Sequence, residues 1–275
     1  MSRAEANGIQ IEYETLGDPR DPAIVLTVGL GAQLLECSDV FCFPLVEAGY
    51  SVVRYDNRDA GLSTKCDGRR YSLLDMAGDT IGLMDALGID KAHVVGASMG
   101  AMISQELAIH YPERVRTLCS MISTTGDPLV GRSTKTALRA FKQPPPKNRD
   151  EVIEQGLQIW KVVGSPGFCG EEDAVRALVA ASYDRSYCPA GRDRQLAAMA
   201  TAPDRTEGLR GVRVPTLVIH GEADPLIDPS GGRATAAAIP GAEWLLMPDM
   251  GHDLPQQTWP VIIEAILRNA AKAPR

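Results

Sequence analysis

The sequence predicts an α/β fold in which helices cover both faces of a mostly parallel sheet. One observation leads to this prediction, and a second shows where the pattern is interrupted. Short apolar runs typical of strands alternate with longer stretches in which apolar residues recur at helical spacing. This alternation is interrupted once, at residues 126–210, where helical patterns and proline-rich turns occur without a convincing strand.

The first part of the chain supplies three predicted strands and one helix. Residues 8–16 alternate apolar and polar side chains, which indicates a strand with one wet face at an edge of the sheet. Residues 23–28 form a continuous apolar run, as expected of a strand buried on both faces, and residues 51–55 form another short strand. Residues 73–87 have helical spacing, and Gly88 follows them as a stop signal.

The second part of the chain continues the alternation. A strand that ends at Val95 leads into a helix from Met99, and a further strand spans residues 115–122. The last predicted elements are strands at 214–219 and 244–247 and a helix that contains Trp259, Ile262, Ile263 and Ile266.

The interruption predicts how the chain is divided. We expect a core domain built from residues 1–125 and 211–275, with residues 126–210 inserted as a helical cap. The helices of this cap are predicted at about 150–163, 171–184 and 192–200. Such an insertion can form a lid over the carboxyl ends of the strands, where parallel sheets bind ligands.

The composition limits the partners. The formal net charge of −7 argues against nucleic acid and against an anionic membrane as the main partner. No apolar run reaches the roughly 18 residues of a spanning helix, and the polar start lacks a secretory segment. We therefore expect a cytoplasmic monomer or homodimer that acts on a small molecule. The six cysteines form no Cys-x-x-Cys pair, so we expect free thiols, no metal and no cofactor.

A candidate nucleophile lies between the strand that ends at Val95 and the helix from Met99. The run Gly96-Ala97-Ser98-Met99-Gly100 has the G-x-S-x-G spacing that exposes a serine hydroxyl on a sharp strand-to-helix turn. By chance alone, the spacing occurs in roughly one chain in ten of this length. The alternative is a serine that only caps the helix. The flanking strand and helix favour the nucleophile.

A serine nucleophile needs a base, and the chain has four histidines. His252 follows the last predicted strand in a loop, where an imidazole can reach back over the strand ends, so we favour it. The others are expected elsewhere: His93 precedes the strand that leads to Ser98, His110 ends a helix, and His220 ends a strand and packs locally.

The imidazole also needs a carboxylate on its second nitrogen. We favour Asp224, which lies in the turn after a buried strand and before a proline. The alternatives are Glu222, Asp228, Asp249 and Asp253. Asp253 adjoins His252, and adjacent residues rarely form a hydrogen bond with the required geometry.

Acyl transfer also requires hydrogen-bond donors for the oxyanion. The backbone N–H of Met99 is one candidate, because it follows the serine at the helix start. The second is expected from the loop Gly29-Leu30-Gly31, where glycines permit close backbone approach. The N–H of Leu30 is our first choice and that of Gly31 the alternative.

Four segments, residues 54–64, 95–100, 215–225 and 250–255, resemble the α/β-hydrolase family. Within it, the chain looks most like the esterase branch that contains the methylesterases of anthracycline biosynthesis. The resemblance covers most of residues 8–125 and 210–270. It implies the triad Ser98, Asp224 and His252 and an α/β-hydrolase fold. Many relatives have a histidine where this chain has Val28, which puts the second oxyanion donor in doubt.

The cap is the least matched part, and the predicted substrate pocket draws on it. The candidate lining residues are Gly29, Leu30, Gly31, Met102, Trp160, Phe168, Tyr183, Tyr187 and Met199. The alternative is that the aromatic residues only pack the cap helices together.

Together these observations predict a cofactor-free serine esterase, with a methyl ester of an aromatic polyketide or similar small molecule as the substrate. The same triad also serves lactone or enol-lactone hydrolysis, carbon–carbon bond hydrolysis and cofactor-free perhydrolysis. Two further alternatives are a binding protein that kept only the fold and a catalyst that rearranges a polyketide without hydrolysis.

Overall fold

One eight-stranded sheet forms the centre of the computed structural model, which describes residues 2–168 and 171–273. Its strands are β1 (Ser2–Ala6), β2 (Ile9–Leu16), β3 (Ala23–Thr27), β4 (Ser51–Tyr55), β5 (Ala92–Ala97), β6 (Val115–Met121), β7 (Thr216–Gly221) and β8 (Glu243–Met247). The strand order is β1-β2-β4-β3-β5-β6-β7-β8. The β1–β2 and β2–β4 pairs are antiparallel, and all other neighbours are parallel.

Ten α-helices connect or follow these strands within the described residues. They are α1 (Asp39–Glu47), α2 (Leu73–Ala86), α3 (Met99–His110), α4 (Lys135–Phe141), α5 (Arg149–Val163), α6 (Glu172–Arg185), α7 (Pro189–Ala200), α8 (Thr206–Arg210), α9 (Ser230–Ala238) and α10 (Trp259–Ala270). Within the same ranges, no helix is both long enough and apolar enough to cross a membrane.

Apolar side chains hold helices on both faces of the sheet. On one face, Leu45 of α1 and Ile262 of α10 are fully buried in one core cluster with strand residues. On the other face, Met76 of α2 and Ile103 of α3 are fully buried in a second cluster. Because the central strands are covered on both faces, the apolar strand β3 is buried along its whole length, and so is β4, which includes Ser51 and Arg54.

The structure confirms the predicted α/β class but corrects the edge of the sheet. Residues 8–16 do form a strand, but β1 lies outside it and is the edge strand. Most side chains of Ser2–Ala6 are exposed, and the segment contains few apolar residues. The sequence pattern therefore did not predict a strand there. The helices α4, α8 and α9 were also absent from the prediction. Two of them are only five to seven residues long, and α9 contains Gly231 and Gly232, which disfavour a helix.

Between β6 and β7, the described residues form α4 to α8 and no strand. The three helices predicted at residues 150–163, 171–184 and 192–200 correspond to α5, α6 and α7. We call residues 126–210 the cap segment. Its boundaries as a separate domain stay a prediction.

A buried ion pair fixes the loop after β4. The Arg58 guanidinium donates to both carboxylate oxygens of Asp79 on α2, at 2.6 Å from Nε and 2.5 Å from Nη2. Both side chains are more than nine-tenths buried. Removing one partner would leave the other charge buried without compensation, which costs far more than loss of an exposed pair.

We therefore expect Arg58→Met to lower the free energy of unfolding by about 3–5 kcal/mol, because Asp79 loses its counter-charge in the core. Equilibrium unfolding in urea measures the change. The matched control is Arg149→Met, which breaks the exposed Arg149–Asp184 pair and should leave the unfolding midpoint nearly unchanged. Equal, small effects of the two substitutions would contradict the prediction.

Candidate active site

Ser98 lies at the turn from β5 into α3 in a strained backbone conformation, with φ 55° and ψ −120°. Two glycines make this turn possible. A Cβ atom at Gly100 would lie 2.0 Å from the carbonyl oxygen of Thr27 in β3, and one at Gly96 would lie 2.3 Å from the carbonyl oxygen of Gly100. The tight packing of α3 against the strands therefore positions the Ser98 hydroxyl beyond the strand end.

Three side chains from separate parts of the chain form one hydrogen-bonded row. The Oγ of Ser98 is 3.0 Å from Nε2 of His252, and Nδ1 of His252 is 2.7 Å from Oδ2 of Asp224. An ionised carboxylate can only accept hydrogen bonds, so Nδ1 carries the imidazole proton. Nε2 is then an acceptor for the Ser98 hydroxyl. This arrangement can remove a proton from a serine as it attacks.

The Asp224 carboxylate is buried and held from several sides. Its Oδ1 accepts the backbone N–H groups of Leu226 and Ile227 at 2.8 and 2.9 Å, and Nε2 of His220 lies 3.3 Å from its Oδ2. Burial raises the pKa of Asp224, but the hydrogen bonds from His220 and His252 outweigh it and lower the pKa to about 2. Asp224 is therefore ionised at neutral pH.

The side chains of the other three histidines contact residues other than Ser98. His93 is inside β5, which corrects the expectation that it precedes the strand, and its Nδ1 is 3.0 Å from the Thr117 hydroxyl. His110 is half exposed at the end of α3 beside Glu106. The Nε2 of His220 also lies 2.8 Å from the carbonyl oxygen of Ile227.

The loop of the predicted oxyanion donors lies directly beside Ser98. A Cβ atom built on Gly29 would lie 3.5 Å from the Cβ and 3.9 Å from the Oγ of Ser98. Within the described residues, the N–H groups of Leu30 and Met99 have no hydrogen-bond acceptor. The N–H of Gly31, in contrast, donates to Oε1 of Gln195 at 2.8 Å. This geometry favours Leu30 over Gly31 as a donor.

The backbone at Val28, where many relatives have histidine, is held by a hydrogen bond from Asn57. The side-chain amide of Asn57 donates to the carbonyl oxygen of Val28 at 3.2 Å. Asn57 is buried and belongs to the segment 54–64 that resembles the family. The loop after β3 is thus tied to the loop after β4.

The predicted pocket residues fall into separate groups. Met102 belongs to the core cluster on the α3 face, and Leu30 and Met199 pack against it. Phe168 packs against the cluster of the opposite face. Trp160 donates its indole N–H to Asp253 at 3.0 Å, and the rings of Tyr183 and Tyr187 lie against each other with centroids 4.9 Å apart. Their role in binding substrate stays a prediction.

Cap residues also hold the loop that carries His252, a contact that no pattern in the sequence predicted. The backbone N–H of His252 donates to the carbonyl oxygen of Val163 at 2.6 Å, and that of Gly251 donates to Oγ of Ser165 at 2.8 Å. The Ser165 hydroxyl in turn donates to Asp253. Asp253, one of the alternatives to Asp224, thus accepts from cap residues and not from the imidazole.

A second set of cap contacts reaches the loop after β4. Arg194 of α7 donates to both carboxylate oxygens of Asp59, at 2.8 and 2.7 Å, and Arg185 at the end of α6 donates to Asp56 at 2.7 Å. Both aspartates are buried. These pairs join residues more than 120 positions apart, so no local pattern in the sequence could indicate them.

Comparison with known proteins identifies the family. A family model described as the alpha/beta hydrolase fold matches residues 22–255. The chain belongs to the alpha/beta hydrolase fold family. This alpha/beta hydrolase is 31% identical over 268 residues to the rhodomycin D methylesterase DnrP of Streptomyces peucetius, covering 88% of each chain. It is also 30% identical over 234 residues to the 3-oxoadipate enol-lactonase 2 of Acinetobacter baylyi, covering 83% of this chain and 81% of the relative.

Solved structures agree on the fold. The meta-cleavage product hydrolase CumD of Pseudomonas fluorescens superposes on this alpha/beta hydrolase with a TM-score of 0.82 at 20% identity, covering 99% of this chain and 98% of that one. The predicted family and fold class are therefore confirmed. The roles of the individual site residues stay predictions.

We expect Gly100→Ala to destabilise the fold by about 3 kcal/mol or prevent folding, because its Cβ would overlap the Thr27 carbonyl oxygen and push α3 off β3. Thermal unfolding followed by circular dichroism measures the change. Gly29→Ala is the matched control, since its nearest neighbour would lie at 3.5 Å, an ordinary contact distance. A melting temperature of Gly100→Ala equal to that of Gly29→Ala would refute this account of the turn.

Proposed function

We propose that this alpha/beta hydrolase cleaves carboxylic esters through an acyl-enzyme formed on Ser98. The single observation that carries the proposal is the hydrogen-bonded row from Ser98 through His252 to Asp224, in which Ser98 lies half-buried on a strained turn. In this proposal His252 is the general base, and Asp224 holds its tautomer and stabilises the imidazolium. The backbone N–H groups of Leu30 and Met99 bind the oxyanion.

In the acylation step, the Ser98 oxygen attacks the ester carbonyl carbon while its proton moves to Nε2 of His252. The carbonyl oxygen becomes an oxyanion. The two free N–H groups and the start of α3 stabilise its negative charge. When the tetrahedral intermediate collapses, the alkoxide leaves with the proton from His252, and the acyl group remains on Ser98.

In the deacylation step, water takes the place of the alcohol. His252 accepts a proton from the water, whose oxygen attacks the acyl carbon, and the same donors stabilise the second oxyanion. Collapse returns the proton to the Ser98 oxygen and releases the carboxylic acid. Because Asp224 has a pKa of about 2, it stays ionised through both steps at neutral pH.

For the substrate, we propose a methyl ester carried by a polycyclic aromatic polyketide or a similar small molecule. Two features support this choice. The relative DnrP bears the name rhodomycin D methylesterase and aligns along 88% of both chains. Leu30 and Met199 pack against the core cluster that contains Met102, so the predicted lining on this side of the site is apolar, which suits a flat apolar substrate.

A second candidate is enol-lactone hydrolysis, which the 30% identity to 3-oxoadipate enol-lactonase 2 favours. A lactone is a cyclic ester, so the same chemistry opens its ring, and the shape and polarity of the pocket separate the two functions. The substrate named for that relative carries a free carboxylate. Among the predicted lining residues, the side chains of Leu30, Met102 and Met199 are apolar and cannot pair with such a charge.

We expect Ser98→Ala to lower kcat for p-nitrophenyl acetate by at least about 10³-fold, because the nucleophile is lost while the fold is kept. Stopped assays at pH 7.5 measure the rate, and mass spectrometry locates a fluorophosphonate label on Ser98 in the native enzyme. Ser2→Ala, on the exposed edge strand, is the serine control and should retain full activity. Unchanged turnover in Ser98→Ala would exclude the mechanism.

We further expect kcat/KM for methanol release from rhodomycin D to exceed that for ring opening of 3-oxoadipate enol-lactone by at least about tenfold. The reason is that apolar contacts favour the aromatic ester, whereas the lactone carboxylate would be desolvated without a partner. Chromatography of both products, with Ser98→Ala as the blank, gives the ratio. The reverse ratio would assign the enzyme to the lactonase reaction.

A further inference from the structure

We infer that Gln195, on cap helix α7, is a positioning residue that sets the geometry of the oxyanion loop. The inference rests on the proposed function, because it assumes that the Leu30 N–H receives the oxyanion. It goes beyond that function by making a residue of the cap segment part of the apparatus that sets the rate. The inference is carried by two hydrogen bonds, the burial of Gln195 and the way α7 is fastened to the core.

The Gln195 side chain bridges two loops of the core. Its Oε1 accepts the backbone N–H of Gly31 at 2.8 Å, and its Nε2 donates to the carbonyl oxygen of Arg58 at 2.7 Å. A flipped amide would place a donor against the Gly31 N–H and an acceptor against the Arg58 carbonyl, so only one orientation satisfies both. Gln195 has no exposed surface, and water therefore cannot substitute for either partner.

The first of these bonds fixes the peptide group next to the proposed donor. The N–H of Gly31 belongs to the same rigid plane as the carbonyl of Leu30. Only the two backbone dihedrals at Leu30 separate this plane from the plane that carries the Leu30 N–H. Gly31 has φ +71°, a conformation that glycine adopts without strain, so the loop itself resists rotation weakly. Within the loop, the N–H of Ala32 donates to the carbonyl oxygen of Gly29 at 3.3 Å, and the bond from Gly31 to Gln195 adds a shorter, external restraint.

Helix α7 is fastened firmly enough to act as that support. Arg194, the residue before Gln195, forms the paired hydrogen bonds to buried Asp59. One turn earlier, Gly191 approaches so closely that a Cβ atom there would lie 2.3 Å from the Asp59 carbonyl oxygen. The stem of Arg192 lies over Gly31, 3.3 Å from the position of an added Cβ. The inward face of α7 therefore rests directly on the oxyanion loop.

The same bond also selects which N–H groups are available. With its N–H bound to Gln195, Gly31 is not available as an oxyanion donor, whereas the N–H of Leu30 has no acceptor within the described residues. Turnover thus depends on whether α7 is seated on the core.

The test compares Gln195→Met, Gln195→Glu and the native enzyme with p-nitrophenyl acetate, which is too small to need most of the cap. Methionine keeps the shape but offers Gly31 no good acceptor, whereas glutamate in the neutral form that burial favours keeps an acceptor for Gly31 and an O–H donor for the Arg58 carbonyl. We expect Gln195→Met to lower kcat by about 10- to 100-fold, less than deletion of an oxyanion donor, with KM changed by no more than about twofold. Gln195→Glu should lose less.

Two readouts separate positioning from loss of structure. The midpoint of the pH profile of kcat/KM should be the same in Gln195→Met as in the native enzyme, since this substitution adds no titratable group and leaves Ser98, His252 and Asp224 untouched. The rate of fluorophosphonate labelling should fall together with kcat, because the phosphonyl oxygen uses the same donors. Leu196→Gln, on the exposed side of α7, is the matched control and should behave as the native enzyme.

Native kcat in Gln195→Met, or a rise in KM with kcat preserved, would overturn the inference. A larger loss in Gln195→Glu than in Gln195→Met would do the same. Failure of the proposed function looks different: the native enzyme would then cleave no ester, and Ser98 would take no label. Should Gln195→Met fail to fold, the kcat and KM of Gln195→Glu decide the question.

Discussion

The close approach of α3 to the strands beside it is the constraint on which the site depends. Glycines at positions 96 and 100 remove the Cβ atoms that would otherwise strike backbone atoms, and this lets the chain reverse within a few residues. The strain of this turn is located at Ser98, which has a positive φ that non-glycine residues rarely adopt. The surrounding packing maintains this strained conformation, because Met99 and Ile103 of the same helix are fully buried in the core.

Around that turn, the cap segment contacts both loops that face Ser98. On one side, Val163 and Ser165 hold the loop of His252 through its backbone N–H groups. On the other side, Gln195 holds the loop of Leu30. The strands and loops of the sheet carry Ser98, His252 and Asp224, and residues of the cap segment form hydrogen bonds that hold two of the loops around them.

The sequence was sufficient for the features that repeat or follow a local spacing. The parallel strands were predicted because their buried apolar runs differ plainly from the helical stretches between them, and the row Ser98–His252–Asp224 because each member follows a strand. The edge strand β1 was missed because its side chains are mostly exposed. The pairs Asp59–Arg194 and Gly31–Gln195 were missed because a contact across more than 130 residues leaves no periodic trace. One feature of the sequence could have indicated the Gln195 contact. Gln195 is a polar residue on a helix face whose other buried residues, Gly191 and Ala198, are small.

Because Val163, Ser165 and Gln195 of the cap segment bond to loops on both sides of Ser98, a substitution in the cap reaches the site without touching Ser98 itself. Under the proposed function, a change on α5 or α7 made to admit a wider substrate would also alter the support of one of these loops. Redesign of the predicted pocket would therefore have to spare these three residues, so the engineerable surface is smaller than the cap segment itself.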